Sequence, residues 1–241
     1  LSDMTPAVRV RGNDRVQNRV NLASFAAASA LFGICTTSTE PLREHMMRLF
    51  SIPSSSAHVI PNGLDPAFIG LCSLARENAP LQRPHRFGYF SGTQSHDLDF
   101  TIAAPALAIA LQADSEATVL VVGPVQIPAE LSPFSDRIVT RPVVPFHELP
   151  FLKAQVSTVI APLEDTPFNR AKSGLKFWEA ALVGCSVVAT SIPDIDRFDS
   201  PLLRKCVSSD DWNMALSDPF VLSSKTIREE AERIAELTSI G

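Results

Sequence analysis

The stretch Phe168-Asn169-Arg170-Ala171-Lys172-Ser173-Gly174-Leu175-Lys176-Phe177-Trp178-Glu179-Ala180-Ala181-Leu182-Val183-Gly184-Cys185-Ser186-Val187-Val188-Ala189-Thr190 reads as a polar loop, a helix, a glycine stop and a buried strand. Lys172 and Lys176 fall where the helix would begin, near Ser173. Helix N-termini carry partial positive charge and exposed N–H groups, so cations there are mildly unfavourable unless an anion joins them. The pattern therefore points to a phosphate, with a pair of merely solvated lysines as the alternative. A helix from Ser173 puts Lys176 and Glu179 on one face and Leu175, Trp178 and Leu182 on another that can pack on a sheet. Cations at the mouth suit a diphosphate, and a carboxylate one turn deeper suits paired ribose hydroxyls. A Lys176–Glu179 surface pair, which says nothing about function, competes with that reading.

Outward from this stretch the chain alternates strands and helices. Short apolar strands are expected at Ile34–Thr37, His58–Ile60, Arg86–Phe90, Thr118–Val122, Arg137–Thr140, Val156–Ala161, Ser186–Ala189 and Arg204–Val207. Helices are expected over Arg15–Leu31, Pro41–Phe50, Asp99–Gln112, His147–Ala154, Asp210–Leu216 and Ser223–Ile240, with Pro105 kinking the third or marking its start. Strands apolar on both faces and separated by helices mean a parallel sheet covered on both sides, an α/β, Rossmann-like doubly wound fold. Pro66, Pro80 and Pro84 punctuate a weakly patterned stretch, so the expected organisation is a unit at 1–65, a linker at 66–85 and a larger domain at 86–241.

A chain of 241 residues with 45% hydrophobic and 20% charged residues has ample core material. A net charge of −5 with no dominant basic stripe excludes a general nucleic-acid binder. No apolar run approaches the roughly 20 residues that span a bilayer. Cys35, Cys72, Cys185 and Cys206 lack metal-ligand spacing and read as small buried apolar residues of a reducing compartment. No carboxylate cluster calls for a metal. The chain opens at Leu1 without a signal peptide, which gives the expectation of a fragment of a longer protein.

Ligands of doubly wound sheets bind at the carboxyl ends of the strands. A second polar loop belongs there, Ser91-Gly92-Thr93-Gln94-Ser95-His96-Asp97. Its glycine would let backbone N–H groups approach an anion, with the Ser91, Thr93 and Ser95 hydroxyls as further donors. An ordinary strand-to-helix turn with a capping Ser or Asp explains the same residues. His96 is either a phosphate contact or a solvated loop histidine, and Glu164 and Asp165 either line the cleft or cap a helix.

These residues also carry a resemblance. Ile60-Pro61-Asn62-Gly63-Leu64-Asp65, then Gly88-Tyr89-Phe90-Ser91-Gly92-Thr93 through His96-Asp97-Leu98-Asp99-Phe100, then Phe168–Lys176 with Glu179-Ala180 and Gly184–Thr190, together with Asp211-Trp212, resemble in order the landmarks of GT-B glycosyltransferases. The set is similar to the bacterial group 1, family 4-like transferases of surface polysaccharides, rhamnosyltransferase-like members included.

The resemblance implies a nucleotide-sugar-binding C-terminal domain at 86–241 and, at 1–65, the last strand–helix–strand of a second Rossmann-like acceptor domain. It implies donor-phosphate contacts from Ser91, Gly92, Thr93, His96, Lys172, Ser173 and Lys176, a ribose contact from Glu179, and a sugar-proximal role for Asn169. No metal and no cofactor are expected, the substrate being a dTDP-, UDP- or GDP-sugar and the acceptor a glycan or lipid-linked glycan. The implied location is cytoplasmic, at the inner face of the membrane if the missing part associates with it. The family's glutamate eight residues before Glu179 is replaced by Ala171. That replacement favours the competing class, a nucleotide- or partner-binding module without turnover; a nucleotide-sugar epimerase of the same architecture would need catalytic residues that have no counterpart here.

Overall fold

The computed structural model describes residues 20–21, 23–28, 31–93, 97–218 and 220–239. The chain divides into two compact units. One is formed by the described residues within Leu1–Asn62 together with Asp165–Ser173 and Ile192–Arg197, the other by those within Gly63–Glu164, Gly174–Ser191 and Phe198–Gly241.

In the first unit, β1 (Cys35–Thr37) and β2 (Ala57–Val59) form a two-stranded parallel sheet with Cys35 opposite Ala57. They flank α1 (Glu40–Phe50), whose start follows from its sequence: Thr39 accepts from Leu42 N, and Pro41 sits in the first turn, where its missing N–H costs nothing. The expected helix Arg15–Leu31 lies largely outside the described residues; those described at 20–21, 23–28 and 31 are helical.

The second unit begins with a helix. Within 66–85, expected as a linker, α2 (Pro66–Glu77) is a helix capped by the Asp65 side chain, with Phe68, Cys72 and Ala75 buried. Its prolines mislead, because Pro66 is a helix-starting proline rather than a breaker. Six parallel strands follow: β3 (His85–Phe90), β4 (Val119–Val122), β5 (Ile138–Arg141), β6 (Val156–Ala161), β7 (Ser186–Thr190) and β8 (Leu203–Cys206). Their spatial order is β5-β4-β3-β6-β7-β8. Counted from β3, that is 3-2-1-4-5-6, the doubly wound order, and it reverses between β3 and β6.

Helices cover both faces. On one, α3 (Asp97–Ala113) and, late in the chain, α8 (Ser209–Ser217) enclose a core of Tyr89, Phe100, Leu107, Leu111, Val121, Ile160 and Trp212. Tyr89 and Phe100 stack with ring centroids 4.2 Å apart. Pro105 does not start α3 but lies inside it. On the other face α2, α4 (Leu149–Lys153), α6 (Leu175–Leu182) and α9 (Ser224–Thr238) pack together; the short α5 (Pro167–Arg170) and α7 (Pro193–Asp196) belong to the first unit.

Arginines close the helix ends. Arg137 donates to the carbonyls of Leu111 and Asp114, and Arg83 to those of Val183 and Gly184, placing guanidinium charge on groups that have no partner inside the helix.

Candidate functional site

Because the strand order reverses between β3 and β6, the loops leaving the carboxyl ends of these two strands flank the crevice in which doubly wound sheets hold ligands. Both polar loops singled out in the sequence leave these strands. After β3, the ladder continues one residue, with Ser91 N donating to Val122 O at 2.9 Å. Gly123, which follows β4, has φ +116°, and a Cβ on it would lie 1.8 Å from the Ser91 carbonyl oxygen. Only glycine fits there, so two chain turns meet at van der Waals distance.

Gly92 behaves oppositely. It is exposed, and a Cβ on it would meet nothing within 4 Å. Neither backbone nor packing requires glycine at 92, whereas a close approach by a ligand would. The Ser91 hydroxyl, expected to face a phosphate, donates to the Thr93 carbonyl at 2.9 Å and shapes the loop. Thr93 is exposed; His96 lies outside the described residues.

The loop leaving β6 is anchored by Asp99, 2% exposed in the first turn of α3, which accepts from Glu164 N at 2.8 Å. Thr190, at the end of β7, holds Leu163 through N–H and carbonyl at 2.8 and 3.2 Å. Asp99 belonged to a quoted motif without an assigned role; an aspartate buried in an otherwise apolar helix was the signal for one. Glu164 does its work here through its backbone.

Helix α6 starts at Leu175, two residues later than expected, with Gly174 as its cap and no side chain capping it. Its buried side is Phe177, Trp178, Ala180, Ala181 and Leu182, the small residues allowing close approach to the sheet. Lys176 Nζ is buried and lies 5.3 Å from the centroid of the Tyr89 ring, a cation–π distance. That contact brings the first turn of α6 to the carboxyl end of β3, two residues before Ser91.

Glu179 does not pair with Lys176. Its Oε2 accepts from Nζ of Lys153, the last residue of α4, and the two side chains are 15% and 3% exposed. The surface-pair reading of Lys176 and Glu179 is thus corrected: Glu179 is half of a largely buried ion pair. Lys153 was missed because nothing in the local sequence of a short helix distinguishes a buried terminal lysine from a solvated one.

Asn169, Lys172 and Ser173 sit in the first unit, in the segment Asp165–Ser173. Thr39 Oγ1 donates to Ala171 O at 2.7 Å and Asn62 Nδ2 to Ser173 Oγ at 2.8 Å, tying the segment to residues around β1 and β2. Asn169 is fully buried and its N–H reaches the Thr166 cap. Lys172 Nζ is buried 5.1 Å from the Phe168 ring centroid. Asp165 pairs with Arg170 at 2.5 Å, and that guanidinium holds its carboxyl below the usual range. Ala171, where the family carries a glutamate, is 8% exposed.

Among the described residues, no group of three or more His, Cys, Asp or Glu could hold a metal ion, and no helix is long and apolar enough to cross a membrane.

This architecture is that of the GT-B glycosyltransferases. No protein-family model matches the chain, and no curated protein is a significant match in sequence. Solved structures do match. The chain superposes on Anabaena HepE in complex with UDP and glucose with a TM-score of 0.64 at 17% identity, covering 91% of this chain and 63% of that one. For WaaG, a glycosyltransferase involved in lipopolysaccharide biosynthesis, the TM-score is 0.58 at 13% identity, covering 84% and 57%. For the pneumococcal O-GlcNAc transferase GtfA in complex with UDP and GlcNAc it is 0.59 at 14% identity, covering 89% and 44%. At such identities the likeness shows the fold, and the chain spans less than two thirds of each of these proteins.

Proposed function

We propose that the chain is the donor-binding part of a glycosyltransferase that moves a sugar from a nucleoside-diphosphate sugar to a glycan or lipid-linked glycan, in cell-surface polysaccharide synthesis of the family 4-like kind. The observation that carries this reading is the reversal of strand order between β3 and β6, with Gly92 at the exit of one strand and the Lys176–Glu179 helix following the other. Solved structures of the same fold hold UDP and a sugar, HepE and GtfA among them.

In this reading Lys176, the N-terminal end of α6 and the backbone around Gly92 meet the diphosphate, and Glu179 accepts from the ribose hydroxyls. As the sugar leaves, negative charge grows on the diphosphate. Fixed cations and dipoles stabilise that charge without reorganisation, which lowers the barrier without assigning the step to a metal. Lys172, Ser173 and Asn169 keep the phosphate- and sugar-side roles that the resemblance implies. In this reading the transfer takes place on the cytoplasmic side, as the resemblance implies.

Calorimetric titration of the chain with UDP, GDP and dTDP tests the reading. Binding of one of them is expected; a folded protein that binds none would sink it. Ala171 favours a second reading, a nucleotide-holding module without turnover. Release of free sugar or transfer to an acceptor from the matching nucleotide-sugar separates the two.

A further inference from the structure

The Lys153–Glu179 pair is unusual for its place. A lysine side chain 3% exposed at the end of α4 is costly to bury, and it is retained beside a carboxylate on α6. The Phe90 ring lies 5.7 Å from Lys153 Nζ, and Cys72, fully buried, is close enough to feel both charges. Only replacement of both charges by hydrophobic residues would avoid the desolvation cost, since removing Lys153 alone leaves the Glu179 carboxylate without its cation. Of the two charges, the carboxylate is the one that reaches solvent, at 15% exposure against 3% for the lysine. An ion pair built only to join α4 to α6 has no need of that asymmetry.

Resting on the proposed nucleotide-binding reading, we infer that Lys153 is a positioning residue. It holds Glu179 by Oε2 from the buried side, so that the carboxylate is presented as a fixed, ionised acceptor to the two ribose hydroxyls of a nucleoside diphosphate. Lys153 touches no part of the nucleotide. Its effect passes through Glu179 alone. A carboxylate held in one orientation before the ligand arrives loses less side-chain freedom on binding, and the ion pair keeps it from turning toward the protein interior.

The mechanism predicts a signature that loss of stability does not reproduce. K153M should weaken UDP binding by about tenfold or more, as for hydrogen bonds to a charged group that is no longer aligned. Binding of inorganic pyrophosphate, which has no ribose, should stay within about twofold, a change of negligible size on the scale of one such bond. In the E179Q background the same K153M change should leave UDP affinity unaltered, because the group through which it acts is gone. K153R keeps the buried charge paired, and so keeps the fold, while its larger planar head displaces the carboxylate; it should show the same split between UDP and pyrophosphate. Calorimetry on the full chain reads the parent, K153M, K153R, E179Q and K153M/E179Q with both UDP and pyrophosphate, with thermal unfolding run alongside.

Equal losses for UDP and pyrophosphate, a K153M effect that persists in E179Q, or a K153R protein that binds UDP as the parent does would each overturn the inference. Should K153M fail to fold, K153R decides alone. Absence of binding by the unsubstituted chain to UDP, GDP and dTDP removes the nucleotide-site reading itself. Binding by the parent with none of these differences removes only the role of Lys153.

Discussion

At the scale of single residues, the two glycines beside Ser91 carry opposite expectations. Gly123→Ala combines a left-handed backbone with a Cβ 1.8 Å from a carbonyl oxygen, and should destabilise the protein by about 2–4 kcal/mol in urea unfolding. Gly92→Ala meets open space and should leave stability within about 0.5 kcal/mol. Its effect is expected instead on UDP affinity, since the new methyl stands where the diphosphate would approach. Glu179→Ala should weaken UDP binding by about 1–3 kcal/mol, the range for losing hydrogen bonds to a charged group. An unchanged affinity takes Glu179 out of the site. The motif around Glu179 was legible as a row of letters, but its partner was not: Lys153 is 26 residues away, and only the packing of α4 against α6 brings the charges together.

At the scale of elements, α6 shows why a helix in this position holds its place. Its C-terminal carbonyls are met by Arg83 and Arg76, Gly184 leaves it with φ +74°, and its buried alanines lie against the sheet. The thiols report the same packing. Burial pushes the Cys72 and Cys206 thiols up to about 12, and that of Cys185 upward as well, while Cys35 in β1 is only half-buried. Native protein treated with a thiol reagent at pH 7.5 should therefore react first and fastest at Cys35, and at all four cysteines only after denaturation. Rapid labelling of Cys72 in the native state would contradict the packing of α2.

The segment Asp165–Ser173 depends on one hydroxyl in a comparable way, since Thr39 both caps α1 and donates to Ala171 O. Thr39→Val should cost about 1–2 kcal/mol through the lost cap and hydrogen bond. Amides of residues 169–173 should then exchange faster.

At the scale of the whole molecule, stability should fall in two steps on acidification. Desolvation, aided by Arg141, lowers the His85 pKa below its ordinary 6.5. The folded state then resists a proton that the unfolded state accepts, so stability is lost as pH drops from about 6.5 toward the folded value. Asp114, held by Arg86, and Asp211, held by the backbone N–H groups of Val207 and Ser208, have carboxyls below the usual range. Burial of Glu230 works against its ionisation, and the hydrogen bonds from Arg233 and Ser200 outweigh it. These groups stabilise above about pH 4–4.5 and stop doing so as pH falls through their lowered values. Burial, aided by Arg48, lowers the His45 pKa in the same way, so urea midpoints between pH 8 and 3 should show both steps, His85→Gln should shrink the first, and His85→Gln with His45→Gln should remove it alone.

From the residues alone follow the α/β class, the parallel pairing and all eight strands of the two sheets to within one residue at each end, because apolar runs separated by helices are buried on both faces of a parallel sheet. The sequence also pointed to the two polar loops, since glycine, hydroxyls and lysines at the carboxyl ends of strands suit an anion, although an ordinary turn with solvated lysines suits the same residues. It did not reveal α2, where prolines that start a helix look like those that prevent one, nor the late start of α6, which a serine before a glycine made ambiguous. Which strands flank the reversal of order, the demand for Gly123 rather than Gly92, and the hold of Lys153 on Glu179 emerge only in the folded chain. Strand order and ion pairing depend on residues distant in sequence, and local periodicity carries no information about which distant surfaces meet.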